Sequence, residues 1–222
     1  MSDRVPRETP APPLAAVTVF GPVLPGLFRY AELLAGPAIL AGCIGPHEAG
    51  RLWERHLLNC AVAVSVVPPA GQVADVGSGA GLPGLVWALM RPDAELTLVE
   101  PLHRRVDFLQ EAVAVLQLDN VTVVRARAEE LHGSHQFDLV AARAVAPLKR
   151  LIPACLPLVR RTGSLVALKG ATALHEIDEA RPQLRRVRAT SVVVTTYGEG
   201  IVSPPTTGVI VRTERGTERG KV

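Results

Sequence analysis

The sequence predicts an α/β fold: a mostly parallel seven-stranded sheet with an antiparallel last strand, helices on both faces and a helical N-terminal extension. Beyond residue 71, short β-branched apolar segments alternate with helical patterns, which is typical of a parallel sheet. The glycine-rich stretch ADVGSGAGLPG, residues 74–84, begins inside the first of these apolar segments and continues beyond its end. The last two segments have no helical pattern between them, and such a short connection joins antiparallel strands.

The composition divides the chain into four parts. Residues 1–21, which are rich in proline, are expected to be disordered. Residues 22–70 form the helical extension, with the helical patterns GLFRYAELLAG and HEAGRLWERHLLNCAVAVSVV, and the motif PPAG ends it. Residues 71–213 form the sheet domain, and the charged tail 214–222 is expected to be disordered.

Within the sheet domain the apolar segments are assigned to strands and the periodic segments to helices. The predicted strands cover residues 72–77, 95–100, 120–126, 137–143, 163–170, 189–197 and 208–213. The predicted helices between them cover residues 82–90, 103–117, 128–131 and 147–159. Pro83 is compatible with the first of these helices, because a residue in the first turn needs no N–H group.

The overall composition is that of an ordinary globular protein. The 222 residues are 48% hydrophobic and 20% charged, enough for one sizeable core. No apolar run reaches the ~18 residues that a membrane span needs. The segment MSDRVPRETPAPP also lacks the apolar core of a signal peptide. We therefore expect a cytoplasmic protein that does not bind membranes. Because no long exposed apolar edge argues for obligate assembly, we also expect a monomer.

The cysteines and histidines do not suggest a metal site. Cys43, Cys60 and Cys155 lack metal-ligand spacing and are expected to be reduced, mostly buried thiols. The histidines other than His56, among them His132 and His135, lack the Cys or carboxylate neighbours of a metal site, so no bound metal is expected.

The glycine-rich stretch is the expected binding site. In a doubly wound sheet, ligands bind beyond the carboxyl ends of the strands, and the first strand-to-helix turn lies there. Glycines allow positive φ and a close approach of the ligand. Glu100 ends the next predicted strand, about 20 residues beyond the loop, where a carboxylate accepts hydrogen bonds from ribose hydroxyls. Loop and carboxylate together predict a cofactor that contains a nucleoside.

Two interpretations of the glycines compete. Gly79, Gly81 and Gly84 spell G-x-G-x-x-G, the fingerprint of an NAD(P)-binding oxidoreductase or sensor module. Gly77, Gly79 and Gly81, preceded by Asp75, resemble the first motif of S-adenosylmethionine-dependent methyltransferases. The second is favoured, because a carboxylate suits the ammonium group of an amino acid and not a pyrophosphate. In addition, Gly84 falls inside the predicted helix, and the antiparallel end is typical of methyltransferase sheets. The NAD(P) interpretation stays the alternative.

Three further positions follow strand ends. Glu129, in RARAEEL, would lie beside the adenine of the cofactor. Arg143 ends the fourth strand, where its guanidinium could hold the cofactor carboxylate or guanine acceptors. Lys169 ends the fifth strand and could meet a phosphate. Arg143 and Lys169 are therefore positioning candidates, and no residue is assigned as a catalytic acid or base.

The methyl acceptor is constrained by what the sequence lacks. AARAVAPLKR stands where an amine-directed enzyme would carry an NPPY-like element and a C5-directed enzyme a nucleophilic cysteine after proline. An acceptor with a free lone pair, such as N7 of guanine, needs no proton removed before attack. Basic residues are dispersed along the chain and aromatic residues make up only 4%, which suits a folded RNA held by its phosphates.

The motifs RLWERHLLNCA, VGSGAGLPG, RARAEEL, ARAVAPL and LVALKG resemble the bacterial small-subunit ribosomal RNA methyltransferase G family, also called glucose-inhibited division protein B. The resemblance runs from about Phe28 to Gly170. It implies a cytoplasmic enzyme with a Rossmann-like class I methyltransferase fold. That enzyme would use S-adenosylmethionine to methylate N7 of a guanine in a decoding-region loop of 16S rRNA, as free RNA or in a precursor of the small subunit. A methyltransferase fold that binds RNA without catalysis stays a third possibility.

The resemblance also implies roles for single residues. The cofactor-binding residues expected from the motifs and from the ribose argument are Asp75, Gly77, Gly79, Gly81, Leu82, Glu100, Ala128, Glu129 and Arg143. The family pattern His-x-x-Asp-Ser reads His56-Leu-Leu-Asn59-Cys60 here, so a role that needs a carboxylate at position 59 is in doubt. The expected RNA contacts are therefore Arg55, His56 and Lys169.

Overall fold

The structure is a computed structural model that describes residues 9–213. The described residues contain one sheet, with strands β1 (Gln72–Val76), β2 (Glu95–Val99), β3 (Val121–Val124), β4 (Phe137–Arg143), β5 (Val159–Lys169), β6 (Ala189–Tyr197) and β7 (Thr206–Thr213). The strand order is β3-β2-β1-β4-β5-β7-β6. The first five strands pair in parallel, and β7 lies antiparallel to β5 and β6. The predicted α/β fold and its antiparallel last strand are confirmed.

The strand order reverses between β1 and β4, which pair in parallel with Asp75 opposite Ala141. Both strands are almost wholly buried, as expected for the centre of a sheet covered on both faces. The loops that follow them leave the same edge of the sheet. Ligands of doubly wound folds bind at such a switch point.

Nine helices are present in residues 9–213: α1 (Leu14–Phe20), α2 (Leu24–Ala35), α3 (Pro37–Leu40), α4 (Asn59–Ala61), α5 (Gly84–Met90), α6 (His103–Leu116), α7 (Leu148–Cys155), α8 (Ala173–Glu179) and α9 (Arg181–Arg186). A π-helical segment, Leu52–Leu58, directly precedes α4. Short 3₁₀ turns cover Gly21–Val23, Pro46–Arg51, Val64–Val66, Ala128–Leu131 and Leu156–Leu158. Helices α8 and α9 lie in a region for which the sequence analysis predicts no helix.

The expectation of disorder for residues 1–21 is wrong where the structure describes them. Helix α1 forms within this range, and Phe20 is 2% exposed. Its ring lies 6.3 Å from that of Trp53, whose indole N–H donates to the carbonyl of Pro10 at 2.6 Å. These long-range contacts order a proline-rich segment that has little local preference for structure. Residues 1–8 and the predicted tail 214–222 lie outside the described residues.

The extension shares its core with the sheet domain. Leu27 and Leu57 of the extension belong to the same buried cluster as Leu85 of α5, Leu98 of β2 and Leu109 of α6. Burial of this apolar surface is the main force that holds the extension against one face of the sheet. The extension therefore sits beside the switch point as a fixed wall.

One helical stretch, Leu14–Leu40, is long and apolar enough to cross a membrane by length and composition, with a mean hydropathy of 1.4. Short breaks at Gly21 and Gly36 interrupt it. Leu27 and Leu34 are 0% exposed and belong to the core described above. Part of the apolar character of this stretch is thus accounted for by core packing.

Candidate active site

The loops after β1 and β4 face each other at the switch point and enclose a cavity of about 650 Å³. We call it the glycine-loop cavity. Six of the residues expected from the sequence border it, namely His56, Gly77, Gly79, Leu82, Glu100 and Arg143. Four parts of the chain therefore meet there: the extension, the loop after β1, the segment after β2 and the end of β4.

The backbone of Gly77 makes this cavity possible. Its φ is +69°, a conformation that side chains with a Cβ rarely adopt. A Cβ at this position would also lie 2.6 Å from Cγ2 of Val145, which belongs to the opposite loop. The absence of a side chain at Gly77 thus lets the two loops lie this close together. Gly81 has a different structural role: it packs against Leu85 and Tyr30, and it does not border the cavity.

Most backbone N–H groups of the loop after β1 already have an acceptor within the protein. The N–H groups that donate to acceptors within the protein are those of Gly77, Ser78, Gly79, Gly81, Leu82 and Gly84. A dinucleotide site needs such groups free, because they point at the pyrophosphate. The loop is therefore shaped for close contact and not for holding a phosphate.

Glu100 connects the loop to the end of β2. Its side chain is almost fully buried; Oε2 accepts from Gly79 N–H at 3.0 Å and Oε1 from Leu102 N–H at 3.1 Å. Each carboxylate oxygen can accept a second hydrogen bond. Because Glu100 also borders the cavity, it combines a fixed position with spare capacity for hydroxyl donors.

Asp75 lies below the loop and not in the cavity. It is 0% exposed; Oδ2 accepts from Gly84 N–H at 3.0 Å, and Oδ1 has no partner among the described residues. Burial raises the pKa of Asp75 to about 7, although the bond from Gly84 and the charge of Arg143 oppose this rise. The direct contact with an ammonium group that the sequence suggests does not match this position. Asp75 instead holds the start of α5 under the loop.

The raised pKa of Asp75 gives a pH-dependent prediction. Between about pH 4 and about pH 7 the folded protein keeps a proton on Asp75 that the unfolded chain has released, so stability falls as pH rises through this range. Asp75→Asn removes this titration. We expect its free energy of unfolding, relative to that of the wild type, to rise across this range and then level off in urea titrations. Parallel curves for the two proteins would contradict the assignment.

His56 joins Arg143 to Glu48. Nη2 of Arg143 lies 2.9 Å from Nδ1 of His56, and Nε2 of His56 lies 2.9 Å from Oε2 of Glu48. Because an arginine can only donate, Nδ1 is the acceptor and Nε2 carries the proton. Burial, together with the charge of Arg143, lowers the pKa of His56 to about 4. The ring is therefore neutral with both nitrogens engaged, which makes it a support for Arg143 and not a base.

Glu48 is a residue that the sequence analysis misses. It borders the glycine-loop cavity and pairs with both His56 and Arg55, the latter at 3.2 Å. Glu48 lies in a short 3₁₀ turn, eight residues before His56, so helical periodicity does not relate the two. Only the turn between them brings the carboxylate to the imidazole.

A second cavity of about 680 Å³ adjoins the first. We call it the Lys169 cavity; it is bordered among others by Glu54, Arg55, Asn59 and Lys169. The residues that border both cavities are His56, Arg143, Ala144 and Val145. The two spaces are thus separated only by the Arg143–His56 pair and the loop after β4. Adjoining cavities of this kind can hold two reactants next to each other, with their reacting atoms meeting where the cavities join.

Lys169 holds that loop in place. Its Nζ lies 2.6 Å from the carbonyl oxygen of Ala146 and 2.8 Å from Oε2 of Glu176, which also accepts from Leu148 N–H at 2.8 Å. The lysine side chain is only 8% exposed. The phosphate contact that the sequence suggests therefore does not match its surroundings, since the ammonium group is already engaged. Lys169 is a support for the loop that both cavities share.

The remaining predicted residues have different surroundings. Arg55 lies in the wall of the Lys169 cavity, and its carbonyl accepts from Nη1 of Arg143 at 3.3 Å. Ala128 and Glu129 form the 3₁₀ turn after β3 and do not border the glycine-loop cavity. Ala128 is buried and Glu129 is exposed.

The thiols are not nucleophiles. Burial raises the pKa of Cys60 to about 11 and that of Cys155 to about 12, and it also raises the pKa of Cys43. All three therefore stay protonated at neutral pH, and a thiol is a weak nucleophile. Across residues 9–213 no group of three or more His, Cys, Asp or Glu residues could hold a metal ion.

Comparison with known proteins agrees with this geometry. The model of the family described as rRNA small subunit methyltransferase G matches residues 24–201. The chain is 52% identical to the ribosomal RNA small subunit methyltransferase G of Thermobifida fusca over 213 residues, which is 96% of this chain and 90% of that protein. The protein of the same name from Streptomyces coelicolor is 51% identical over 216 residues, covering 97% and 90% of the two chains.

Solved structures show the same fold at low identity. A SAM-dependent O-methyltransferase from Thermotoga maritima aligns with a TM-score of 0.56 at 12% identity, covering 72% of this chain and 67% of that chain. A ribosomal protein L11 methylase from Lactobacillus delbrueckii subsp. bulgaricus aligns with a TM-score of 0.52 at 18% identity, covering 78% and 81%. The sheet with its antiparallel last strand is thus the methyltransferase fold.

Proposed function

Because the chain belongs to the rRNA small subunit methyltransferase G family, we propose that it transfers a methyl group from S-adenosylmethionine to N7 of a guanine in the decoding-region loop of 16S rRNA. Methylation of small-subunit ribosomal RNA follows from the family. One observation supports the rest of the proposal: two adjoining cavities share a wall made of His56, Arg143, Ala144 and Val145. One cavity fits the donor, and the other can present an acceptor to it.

The residues of the glycine-loop cavity fit S-adenosylmethionine. Glu100, almost fully buried and with spare acceptor capacity, would hold the ribose hydroxyls. Gly77 allows the close approach, Leu82 provides apolar contact, and Arg143 would hold the carboxylate of the cofactor. Ala128 and Glu129 follow β3, the neighbour of β2, and are the proposed contacts of the adenine. When bound, S-adenosylmethionine supplies a methyl group on a positively charged sulfur.

The Lys169 cavity suits an acceptor that needs no base. His56 is neutral with both nitrogens engaged, and Lys169 is paired with Glu176. The three thiols are protonated, so a cysteine attack on a pyrimidine ring is disfavoured. N7 of neutral guanine carries a free lone pair and reacts without prior loss of a proton. The residues of the shared wall then act by orienting the two reactants and excluding water between them.

The alternative of an NAD(P)-binding oxidoreductase is not supported. The family and its relatives are methyltransferases, and the loop donates most of its N–H groups within the protein. The glycines of the fingerprint also differ in role. Gly79 borders the glycine-loop cavity, whereas Gly84 packs at the start of α5 against Leu98 and Asp75.

The proposed partner is a folded RNA. Arg51 is exposed at the Lys169 cavity, and Arg55 lies beside it, so phosphates of the RNA backbone can approach this opening. Such contacts make affinity fall with salt. Because the proposed substrate is ribosomal RNA, we place the protein in the cytoplasm. That it acts as a monomer, without a membrane or a metal, stays a prediction.

Deleting the gene tests the proposal. We expect 16S rRNA from the deletion strain to lose strand cleavage at one decoding-region guanine after borohydride and aniline treatment, which detects N7-methylguanine. Purified protein and tritiated S-adenosylmethionine should then restore this cleavage on free 16S rRNA, on a precursor particle or on the mature subunit. The form that accepts tritium identifies the substrate. An unchanged cleavage pattern in the deletion strain would contradict the proposal.

A further inference from the structure

We propose that Glu54 selects guanine by accepting hydrogen bonds from its Watson–Crick edge in the Lys169 cavity. This inference rests on the proposed transfer to N7 of guanine. Adenine also carries N7, so the position of the methyl group alone does not distinguish the two purines. A specific enzyme needs a contact that only guanine satisfies.

The required contact follows from the shape of the base. If N7 faces the shared wall of the two cavities, the N1–H and N2–H₂ groups on the other side of the purine face the outer part of the Lys169 cavity. These two neighbouring donors match the two acceptor oxygens of a carboxylate. Adenine presents an acceptor at N1 and has no amino group at C2, so a carboxylate repels it.

Two carboxylates border the Lys169 cavity, Glu54 and Glu176. Glu176 is engaged by Lys169, by Leu148 N–H and by the Thr172 hydroxyl. Glu54 is exposed, and its side chain has no hydrogen-bond or ion-pair partner in the part of the chain that the structure describes. Its oxygens are therefore available to a ligand.

The amide of Asn59 borders the same cavity but cannot replace this carboxylate. An amide carries both a donor and an acceptor, and a half-turn exchanges them. It therefore pairs with O6 and N1–H of guanine or, after the turn, with N6 and N1 of adenine. Only a carboxylate at Glu54 makes the choice between the two bases.

The backbone around Glu54 is well anchored. Its neighbours Trp53 and Leu57 in the π-helical segment are 3% and 0% exposed, so the segment cannot move without disturbing the core. Arg55, the next residue, pairs with Glu48 and leaves Glu54 without a counter-charge. An unpaired carboxylate in a cavity that receives a polyanion weakens binding by charge repulsion. Hydrogen bonds from the N1–H and N2–H₂ groups of guanine give Glu54 a function in this cavity.

The test combines an enzyme variant with a base substitution. Wild type and Glu54→Gln are given 16S rRNA, in the form that accepts methyl groups, with guanosine or inosine at the target position. Inosine keeps N7 and N1–H but lacks the N2 amino group. The matched control is Glu111→Gln, which alters an exposed carboxylate of α6 that borders neither of the two cavities.

We expect the wild type and the control to have a kcat/KM roughly 10- to 100-fold higher for guanosine than for inosine, the effect of losing a hydrogen bond to a charged group. In Glu54→Gln this preference should fall to about one- to threefold, through a lower rate with guanosine. A preserved preference would overturn the inference, as would an equal rate increase with both bases. If the wild type methylates neither RNA, the proposed function fails as well.

Discussion

A Gly77→Val variant is expected to bind S-adenosylhomocysteine too weakly to measure and to lose at least about 100-fold in methyl transfer. Valine has to adopt φ +69° at this position, where its Cβ would lie 2.6 Å from Cγ2 of Val145. Positive φ costs a β-branched residue about 1–3 kcal/mol. The clash would push the two loops apart or fill the cavity between them. Titration calorimetry with S-adenosylhomocysteine and tritium transfer measure the two effects.

The matched control is Gly133→Val. Gly133 has φ +80° but no atom within 4 Å of a Cβ, and it lies in a cavity at the opposite edge of the sheet from the glycine-loop cavity. Both variants carry the same kind of backbone strain, and only one of them alters the glycine-loop cavity. Equal binding of S-adenosylhomocysteine by the two variants would show that Gly77 does not shape the cofactor site.

The same variant distinguishes catalysis from RNA binding alone. Gly77 does not border the Lys169 cavity, and Arg51 and Arg55 lie there on a different element, so RNA affinity in a filter-binding assay should fall far less than the affinity for S-adenosylhomocysteine. A strain that carries Gly77→Val should then lack the N7-methylguanine, like the deletion strain. A strain that resembles the wild type in every respect would favour a protein that acts by binding RNA.

Glu100→Ala is expected to weaken S-adenosylhomocysteine binding by roughly 100-fold or more, which corresponds to about 2.7 kcal/mol. The variant removes the acceptor of the ribose hydroxyls. It also leaves the N–H groups of Gly79 and Leu102 without their acceptor, so the loop loses its side-chain connection to the segment after β2. Calorimetry measures the affinity, and a urea titration measures the stability.

Glu95→Ala is the control for this effect. Glu95 begins β2, the strand that Glu100 directly follows, and lies at the opposite edge of the sheet; its exposed carboxylate accepts from the side-chain amide of Gln72. Both variants remove a glutamate at an end of β2, and only Glu100 borders the glycine-loop cavity. An affinity of Glu100→Ala within threefold of the Glu95→Ala value, against the roughly 100-fold expected, would exclude Glu100 as the ribose contact.

Much of the fold was predictable from the sequence because the information is local. A parallel strand at the centre of a sheet is buried on both faces, and QVADV and FDLVAAR show this as mostly apolar runs. The loop after β1 was equally predictable from the sequence, since Gly77 adopts a positive φ that favours glycine. The position of Glu100 followed from its distance along the chain. The family, too, was evident from short contiguous motifs.

The sequence by itself did not determine which polar side chains are free to act. Asp75 lies near the end of β1 and Lys169 ends β5, yet the first is buried under α5 and the second is paired with Glu176. The sequence assigns no role to Glu48 or Glu54, and only the tertiary structure shows that one is paired and the other is not. Helix α1 likewise depends on the contacts of Phe20 and Trp53.

The physical reason is the range of the interactions. Periodicity and glycine conformation are properties of a few consecutive residues, so the sequence determined the strands, the loop and the class of cofactor expected there. Whether a charged group is available depends on partners that are distant in the chain, as for Arg143 and His56, which are 87 residues apart. Hydrogen bonding and burial set the pKa and the freedom of such groups. These properties were decided only when the extension packed against the switch point of the sheet.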